Sequence, residues 1–162
     1  MSMKVMRIVL LLLISALPAL SQSSSYPHLE FGIPKDSDST DDYIIERPQY
    51  ALSYNEHLGC PNWVSWNLES KYFGDVDRYK GKFITDTSLP TKYYHVKDDD
   101  YKNSGFDRGH IVRSEERTAT IADNKATFIL SNIVPQTHDL NAGPWLKLEY
   151  HCQKLSVDST KE

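Results

Sequence analysis

The sequence predicts an α+β domain, in which short strands come before an amphipathic helix near the end of the chain. Residues 62–68 alternate between two sets of side chains, which is typical of a strand. From residue 141 onward, apolar side chains recur every three or four positions. This spacing predicts a helix with one apolar stripe, formed by Trp145, Leu148, Cys152 and Leu155.

The first 21 residues have the composition of a secretory signal. Lys4 and Arg7 precede an apolar run over residues 8–20, and the small side chains around Ser21 suit cleavage after that residue. The run is shorter than the roughly 20 residues that cross a bilayer. We therefore expect a secreted or periplasmic protein that no membrane segment retains.

The rest of the chain divides into a leader and one domain. Residues 22–42 are rich in serine and aspartate without a sustained period, which predicts a flexible leader, and residues 43–162 are the predicted domain. Because residues 1–21 contain two basic and no acidic residues, the mature chain would carry a charge of about −6 in place of −4. This charge argues against a passive nucleic-acid coat, although an enzyme can confine positive charge to one cleft.

The first half of the domain reads as strands followed by a long loop. Residues 43–54 are rich in Ile, Tyr and Leu and predict an edge-like strand, because Pro48 interrupts them. Residues 71–100 contain scattered Gly, Pro and Asp. They predict a loop around one short extended piece near Phe83.

The second half contains two more extended segments and the helix. Residues 109–113 are strand-like, a helical turn is predicted near residues 120–124, and an apolar run occupies residues 127–134. We expect the helix to begin at Asn141, because Pro144 suits a first helical turn.

The chain contains two cysteines, Cys60 and Cys152. Export would allow a disulfide between them to persist. The sequence does not give the separation of their Cα atoms, so a disulfide and two separate thiols remain equally open.

Arg108 and His110 are two positions apart in the segment Asp107–His110, so an extended strand would place both side chains on one face. A neutral imidazole can take a proton near pH 7, and the planar guanidinium fits phosphate oxygens. Taken alone, the segment is better explained by a structural histidine and a surface ion pair between Arg108 and Asp107.

Asn141 and Glu149 lie two helical turns apart, so they cannot bind the same atom directly. They could share a hydrated cation, because Mg²⁺ loses its waters reluctantly and needs few protein ligands. The alternative is that Asn141 caps the helix and Glu149 is a solvated carboxylate.

Three polar segments occur in order within 46 residues, at 104–110, 131–136 and 141–149. They contain Asp-Arg-Gly-His and Asn-x-Gly-x-Trp-x-x-Leu-Glu. With these motifs the chain resembles the DNA/RNA non-specific endonuclease family over roughly residues 49–156. The resemblance implies a mainly antiparallel sheet with a ββα-metal (His-Me finger) motif.

The resemblance also implies roles for the polar residues. His110 would be the general base, and Asn141 the sole direct protein ligand of Mg²⁺ or Mn²⁺. Glu149 would organise the waters of the ion, and Arg108 would orient the phosphate. Asn132 would support the site from the second strand of the motif.

The chain departs from the family pattern in the spacing before one arginine, at Gln153 and in length. The family's upstream arginine is best matched by Arg78, with one extra residue in the spacing, and Lys80 or Lys82 could replace it. The family usually has an arginine where this chain has Gln153, so we expect weaker catalysis or a changed substrate preference. Members also continue beyond the metal helix with further strands. The chain is therefore expected to be truncated, with exposed apolar surface, open sheet edges and marginal stability.

The implied activity is Mg²⁺-dependent hydrolysis of phosphodiester bonds in DNA and RNA. The products would carry 5′-phosphates, and contact through phosphates would give little dependence on sequence. Two alternatives remain. The chain could be a catalytically inactive remnant of the family, or it could be an exported nucleic-acid-binding or interaction module without turnover.

Overall fold

A computed structural model describes residues 27–157, so the predicted signal lies outside the described residues. Two antiparallel sheets and a terminal helical segment form the frame, in agreement with the predicted α+β class. Between residues 27 and 157, none of the helices has the length and apolar character needed to cross a membrane.

The first sheet has three antiparallel strands in the order β1 (Tyr43–Glu46), β2 (Ala51–Asn55) and β3 (Cys60–Ser65). The single edge-like strand predicted over residues 43–54 is therefore wrong. The amide of Arg47 donates to the carbonyl of Tyr50 at 2.9 Å, which closes a hairpin turn where a proline cannot donate to the ladder. As a result β1 is an edge strand, while β2 is central and buried along its whole length.

The described part of the predicted flexible leader, residues 27–42, is anchored to this sheet. His28 is buried, and its Nε2 lies 2.9 Å from the carbonyl oxygen of Pro48. The side chain of Asn55 in β2 donates to Asp41 at 2.7 Å. These polar contacts hold the two ends of the segment, where hydrophobic periodicity gave no signal. Residues 30–40 between them are exposed, and their flexibility stays a prediction.

The core lies beneath the first sheet. Tyr50, Leu52 and Val112 are fully buried there, and the hydroxyl of Tyr50 donates to the carbonyl of Ala126 at 3.1 Å. That carbonyl ends α1 (Ile121–Ala126), where a helical turn was predicted.

The long segment between the sheets is mostly loop, as predicted. Its extended piece is a single parallel bridge between Ile84 and Ile129, next to Phe83. A short 3₁₀ turn, Asp98–Tyr101, ends the loop, and Tyr101 packs in a second core cluster with Leu130.

The second sheet pairs β4 (Asp107–His110) with β5 (Ile133–Gln136) in antiparallel register. The apolar run predicted over residues 127–134 is not one extended segment, because a 3₁₀ turn, Leu130–Asn132, interrupts it before β5 begins. Pro135 lies within β5 opposite Arg108 and is exposed.

The terminal helical segment begins earlier than predicted. Its first turn is α2 (His138–Leu140), because the Thr137 hydroxyl accepts a hydrogen bond from the amide of Leu140 at 3.4 Å. A wide turn, Asn141–Trp145, contains a kink at Gly143 and leads into α3 (Leu146–Val157). No described residue of α3 is buried, and Leu148 is 50% exposed, so the predicted apolar stripe does not face the core.

Both cysteines are free and half-buried, Cys60 at the start of β3 and Cys152 on α3. The structure therefore agrees with two separate thiols.

Close packing explains why a glycine lies between Arg108 and His110. A Cβ atom built on Gly109 would lie 2.3 Å from the side chain of Gln136, which is on the neighbouring strand β5 opposite Asp107. Gln136 is itself buried, so it has little room to move.

We expect Gly109→Ala to lower the free energy of unfolding by about 1–3 kcal/mol, because the added methyl overpacks this contact. Urea unfolding of Gly109→Ala, Gln136→Ala and the double variant measures it. Removing the Gln136 side chain makes room for the methyl, so the two losses should not add. Simple additivity would contradict this explanation.

Candidate active site

His110 ends β4 and lies between two aromatic rings. The centroid of its imidazole is 5.3 Å from that of Phe83 and 4.9 Å from that of Phe128. Nε2 is buried and has no hydrogen-bond partner among the described residues. Burial, together with the positive charge of Arg78, lowers the pKa of His110 to about 4. The imidazole is therefore neutral near pH 7 and can accept a proton.

Arg108 lines the same cleft as His110, as the spacing predicted. Its Nε lies 2.8 Å from Oδ1 of Asp98, and its Nη2 donates to the carbonyl of Asp98 at 2.8 Å. The surface ion pair with Asp107, considered as an alternative, is not formed. The guanidinium also lies 5.5 Å from the centre of the Phe83 ring, so the aromatic wall beside His110 continues beside Arg108.

Arg78 reaches the cleft from the long loop, and its role as the upstream arginine of the family stays a prediction. Its Nη1 donates to the hydroxyl of Ser114 and to Glu115 at 2.9 Å, and its guanidinium lies 4.9 Å from the centre of the Phe128 ring. Lys80 and Lys82 are not among the described residues that line the cleft.

Asn141 is held in place by Asp107, the first residue of β4. Its Nδ2 donates to Oδ2 of Asp107 at 3.0 Å, and Nδ1 of His138 lies 3.0 Å from the same oxygen. The bond from Asn141, followed by that of His138, lowers the pKa of Asp107, which keeps it ionised. Because Nδ2 is used as a donor, the amide oxygen of Asn141 is the atom left for a ligand.

Trp145 connects the helical segment to the histidine strand. Its indole Nε1 donates to the backbone carbonyl of His110 at 3.0 Å. This bond and the contact between Asn141 and Asp107 attach the wide turn to both ends of β4.

Glu149 lies one turn further along, on α3, with its side chain 13% exposed. Burial raises its pKa to about 7, against the opposing effect of the Arg113 guanidinium, whose Nε lies 3.6 Å from Oε2. Glu149 therefore titrates near neutral pH.

Asn132, which was expected to support the site from the second strand of the motif, lies in the 3₁₀ turn before β5. It is fully buried. Its Oδ1 accepts from the amide of Val112 at 2.9 Å, and its Nδ2 donates to the carbonyls of Val112 and Thr127, both at 2.9 Å. Asn132 does not line the cleft, and it acts by fixing the backbone just beyond His110.

These side chains meet in one cavity of about 330 Å³, which we call the arginine cleft. It contains five of the six predicted site residues, all but Asn132. Three arginines face two glutamates in it, although the whole chain has a net charge of −4. The residues that line it are Arg78, Arg108, His110, Arg113, Glu115, Asn141, Ala142, Leu146, Glu149 and Tyr150. A more apolar groove of about 440 Å³, beside Leu58 and Phe106, contains none of the predicted site residues.

The oxygen donors of the cleft fit a strongly hydrated cation. Among residues 27–157, no group of three or more His, Cys, Asp or Glu side chains is placed to hold a metal ion. The amide of Asn141 and the carboxylate of Glu149 suit a hard ion that keeps most of its waters. They do not suit zinc, which prefers a closed set of nitrogen and sulfur ligands.

Comparison with known proteins agrees with this geometry. Residues 29–162 match the family model described as DNA/RNA non-specific endonuclease. The chain belongs to this family. It is 42% identical over 139 residues to a nuclease of Nostoc sp. (strain PCC 7120 / SAG 25.82 / UTEX 2576), which covers 83% of this chain and 50% of that protein.

A mitochondrial nuclease and a solved structure are also similar to this chain. A mitochondrial nuclease EXOG of Danio rerio is 34% identical over 127 residues, covering 78% of this chain and 36% of that protein. A crystal structure of the EndoG/EndoGI complex, described as showing the mechanism of EndoG inhibition, matches with a TM-score of 0.70 at 29% identity. That match covers 80% of this chain and 52% of the other. The chain thus spans about half the length, or less, of these relatives.

This endonuclease-family chain has three cleft residues that the sequence analysis did not identify. Arg113, Glu115 and Tyr150 lie outside the motifs that guided it. A signal was present in the charged run from Arg113 to Arg117 directly after the histidine strand, but no spacing rule connects that run to the helix. Asp107 was also missed as the residue that holds Asn141.

Gln153 has a partner that the sequence did not suggest. Its Oε1 accepts a hydrogen bond from Nη1 of Arg113 at 3.1 Å. The position expected to lack a positive charge therefore borders a guanidinium that comes from another segment. The expectation of weaker catalysis rested on that missing charge, and it remains a prediction.

The raised pKa of Glu149 predicts a pH-dependent effect on stability. A carboxyl group with a higher pKa in the folded than in the unfolded state loses its favourable contribution as the pH rises from its ordinary 4.5 through about 7. Glu149→Gln cannot ionise. Relative to wild type, it should therefore gain roughly 1–2 kcal/mol of unfolding free energy between acidic and mildly alkaline solution.

Urea unfolding of both proteins at about pH 4 and about pH 8, without added metal, measures this difference. Glu30→Gln, at an exposed glutamate, is the matched control and should show little change. An effect of Glu149→Gln that is equal at the two pH values would contradict the burial argument.

Proposed function

We propose that the chain is a metal-dependent endonuclease that hydrolyses DNA and RNA phosphodiester bonds without sequence specificity. The observation that carries the proposal is a buried imidazole with an unpartnered Nε2 in the same cleft as Asn141 and three arginines. Membership of the non-specific endonuclease family supports it.

The chain's own residues suit the attack of water on phosphorus. Nε2 of His110 takes a proton as the water oxygen forms its bond to phosphorus. The bond from phosphorus to the 3′ oxygen breaks, that oxygen takes a proton from a solvent water, and the phosphate stays on the 5′ oxygen of the other fragment. Arg78 and Arg108 donate hydrogen bonds to the phosphoryl oxygens, where negative charge increases in the transition state.

Asn141 through its amide oxygen, and Glu149 through hydrogen bonds to coordinated water, are the residues that would hold a divalent cation. Mg²⁺ is the proposed ion and Mn²⁺ a substitute, because both accept oxygen ligands. When bound, the cation supplies Lewis-acid stabilisation of charge on the leaving oxygen. The contact between Asp107 and Asn141 keeps the amide oxygen as the free atom of that side chain.

The distribution of charge supports tolerance of sequence together with turnover. Guanidinium groups that bind phosphates do not read base edges, so they favour no particular sequence. Three arginines line the arginine cleft of a chain with a net charge of −4. The chain would therefore hold its substrate through few phosphate contacts, and the product of cleavage can dissociate.

A plasmid-nicking assay tests the proposal. We expect wild type to nick supercoiled DNA with Mg²⁺ and not with EDTA, and His110→Ala to lower the rate by about 10²–10⁴-fold, because the general base is lost. His57→Ala is the matched control, since His57 is exposed and lies outside the cleft.

Asn141→Ala separates the metal site from the base. It should abolish the Mg²⁺-dependent nicking while His110 is intact. Equal background nicking by wild type and His110→Ala would favour an inactive member of the family. DNA binding without cleavage, unaffected by Asn141→Ala, would instead favour a binding module.

We further propose that the protein acts after export, as secreted or periplasmic protein. The support is the basic and apolar composition of residues 1–21. Expression in a bacterial host should give an extracytoplasmic product whose intact mass corresponds to a chain starting at Gln22. A cytoplasmic product that retains residues 1–21 would contradict it.

A further inference from the structure

Arg113 is an arginine that the proposed reaction does not yet use. It lies three residues beyond His110, is 8% exposed, and lines the arginine cleft. Its guanidinium lies 4.5 Å from the centre of the Tyr150 ring. Burying a charge is costly unless partners compensate for it, so a buried guanidinium at the wall of a cleft needs an explanation.

The hydrogen bonds of Arg113 leave part of its donor set free. Nε lies 3.1 Å from Oε2 of Glu115, and Nη1 donates to Gln153 at 3.1 Å. A guanidinium has five N–H groups, and Nη2 makes no hydrogen bond within residues 27–157. Its two N–H groups are available to a ligand in the cleft.

Glu115 connects Arg113 to the second arginine. Oε1 of Glu115 accepts from Nη1 of Arg78 at 2.9 Å, while Oε2 lies 3.1 Å from Nε of Arg113. One carboxylate therefore bridges the two guanidinium groups and keeps both beside it. Oε2 of Glu149 also lies 3.6 Å from Nε of Arg113. With Arg108, the three guanidinium groups that line this cavity still outnumber its two carboxylates.

We infer that Arg113 binds a backbone phosphate of the nucleic-acid substrate, and that Gln153 and Tyr150 position its guanidinium for this contact. The inference rests on the proposed function, since it names a further residue that holds that substrate. A phosphate is the ligand that fits, because it accepts two parallel hydrogen bonds from a planar guanidinium.

The salt dependence of DNA binding tests this contact, because substitution of an arginine with a merely structural role would not change it. Each phosphate neutralised on duplex DNA contributes about 0.9 to the slope of log affinity against log salt concentration. The probe is a short fluorescein-labelled duplex, and its anisotropy is followed across a range of NaCl concentrations in EDTA, so that no cleavage occurs.

Arg113→Gln should weaken binding by about tenfold and lower the magnitude of the slope by about one. Arg113→Lys keeps the charge and loses the planar fork, so it should retain the slope with weaker binding. The double variant Arg113→Gln with Gln153→Arg moves the guanidinium across a contact of 3.1 Å and should restore the slope.

Lys71→Gln is the control for a lost positive charge. Lys71 is 58% exposed, pairs with Glu69, and lies outside the cleft, so the slope should stay at its wild-type value. Circular dichroism of every variant establishes that the chain is folded. Arg113→Lys and the double variant keep the test decisive if Arg113→Gln unfolds.

A wild-type slope for folded Arg113→Gln would overturn the inference, and so would a double variant that binds like Arg113→Gln. Plasmid nicking with Mg²⁺ distinguishes this failure from failure of the proposed function. If wild type nicks DNA but the salt slope of binding does not depend on Arg113, the proposed function stands and the inference fails. If wild type binds DNA through Arg113 but does not nick it, the inference stands and the proposed function fails. A wild type that does not bind the duplex overturns the inference.

Discussion

The buried amide of Asn132 is the contact on which the site geometry depends. It accepts from the amide of Val112 and donates to the carbonyls of Val112 and Thr127, so it joins the chain beyond His110 to the segment that leads into β5. Without it, three buried backbone groups would lack partners, at a cost of about 1–3 kcal/mol each. The direction in which the chain leaves β4 follows from this contact, and with it the placement of both His110 and Arg113.

Burial affects the titratable side chains of the cleft differently from its arginines. Burial lowers the pKa of His110 to about 4 and raises that of Glu149 to about 7, so both titratable groups are moved toward their neutral forms. The guanidinium groups keep their charge and are supported by rings, as Arg108 is by Phe83 and Arg113 is by Tyr150. A low-dielectric wall thus surrounds fixed positive charges, which strengthens their attraction for an anion.

Local patterns in the sequence were sufficient for the parts of the fold that depend on near neighbours. The two-residue spacing of Arg108 and His110 predicted a shared strand face, and both residues line one cleft. The family resemblance carried by the two motifs implied the arrangement of β4, β5 and helix, which is present. Contacts between distant residues were not predictable, because no periodicity records them. Examples are the bond from Arg113 to Gln153, 40 positions away, and the bond from Asn141 to Asp107. Hairpin closure at Pro48 was missed for a different reason, since residues 43–54 are apolar on both sides of the turn.

Pro135 has a consequence for how the molecule meets other chains. Proline has no N–H, so β5 lacks one of the donors that an additional strand would need along its length. A two-stranded ribbon with complete edges invites pairing with an extended segment of another molecule. An exposed proline opposite Arg108 makes the ribbon a poor template for such growth, which limits self-association at the strands that carry the histidine.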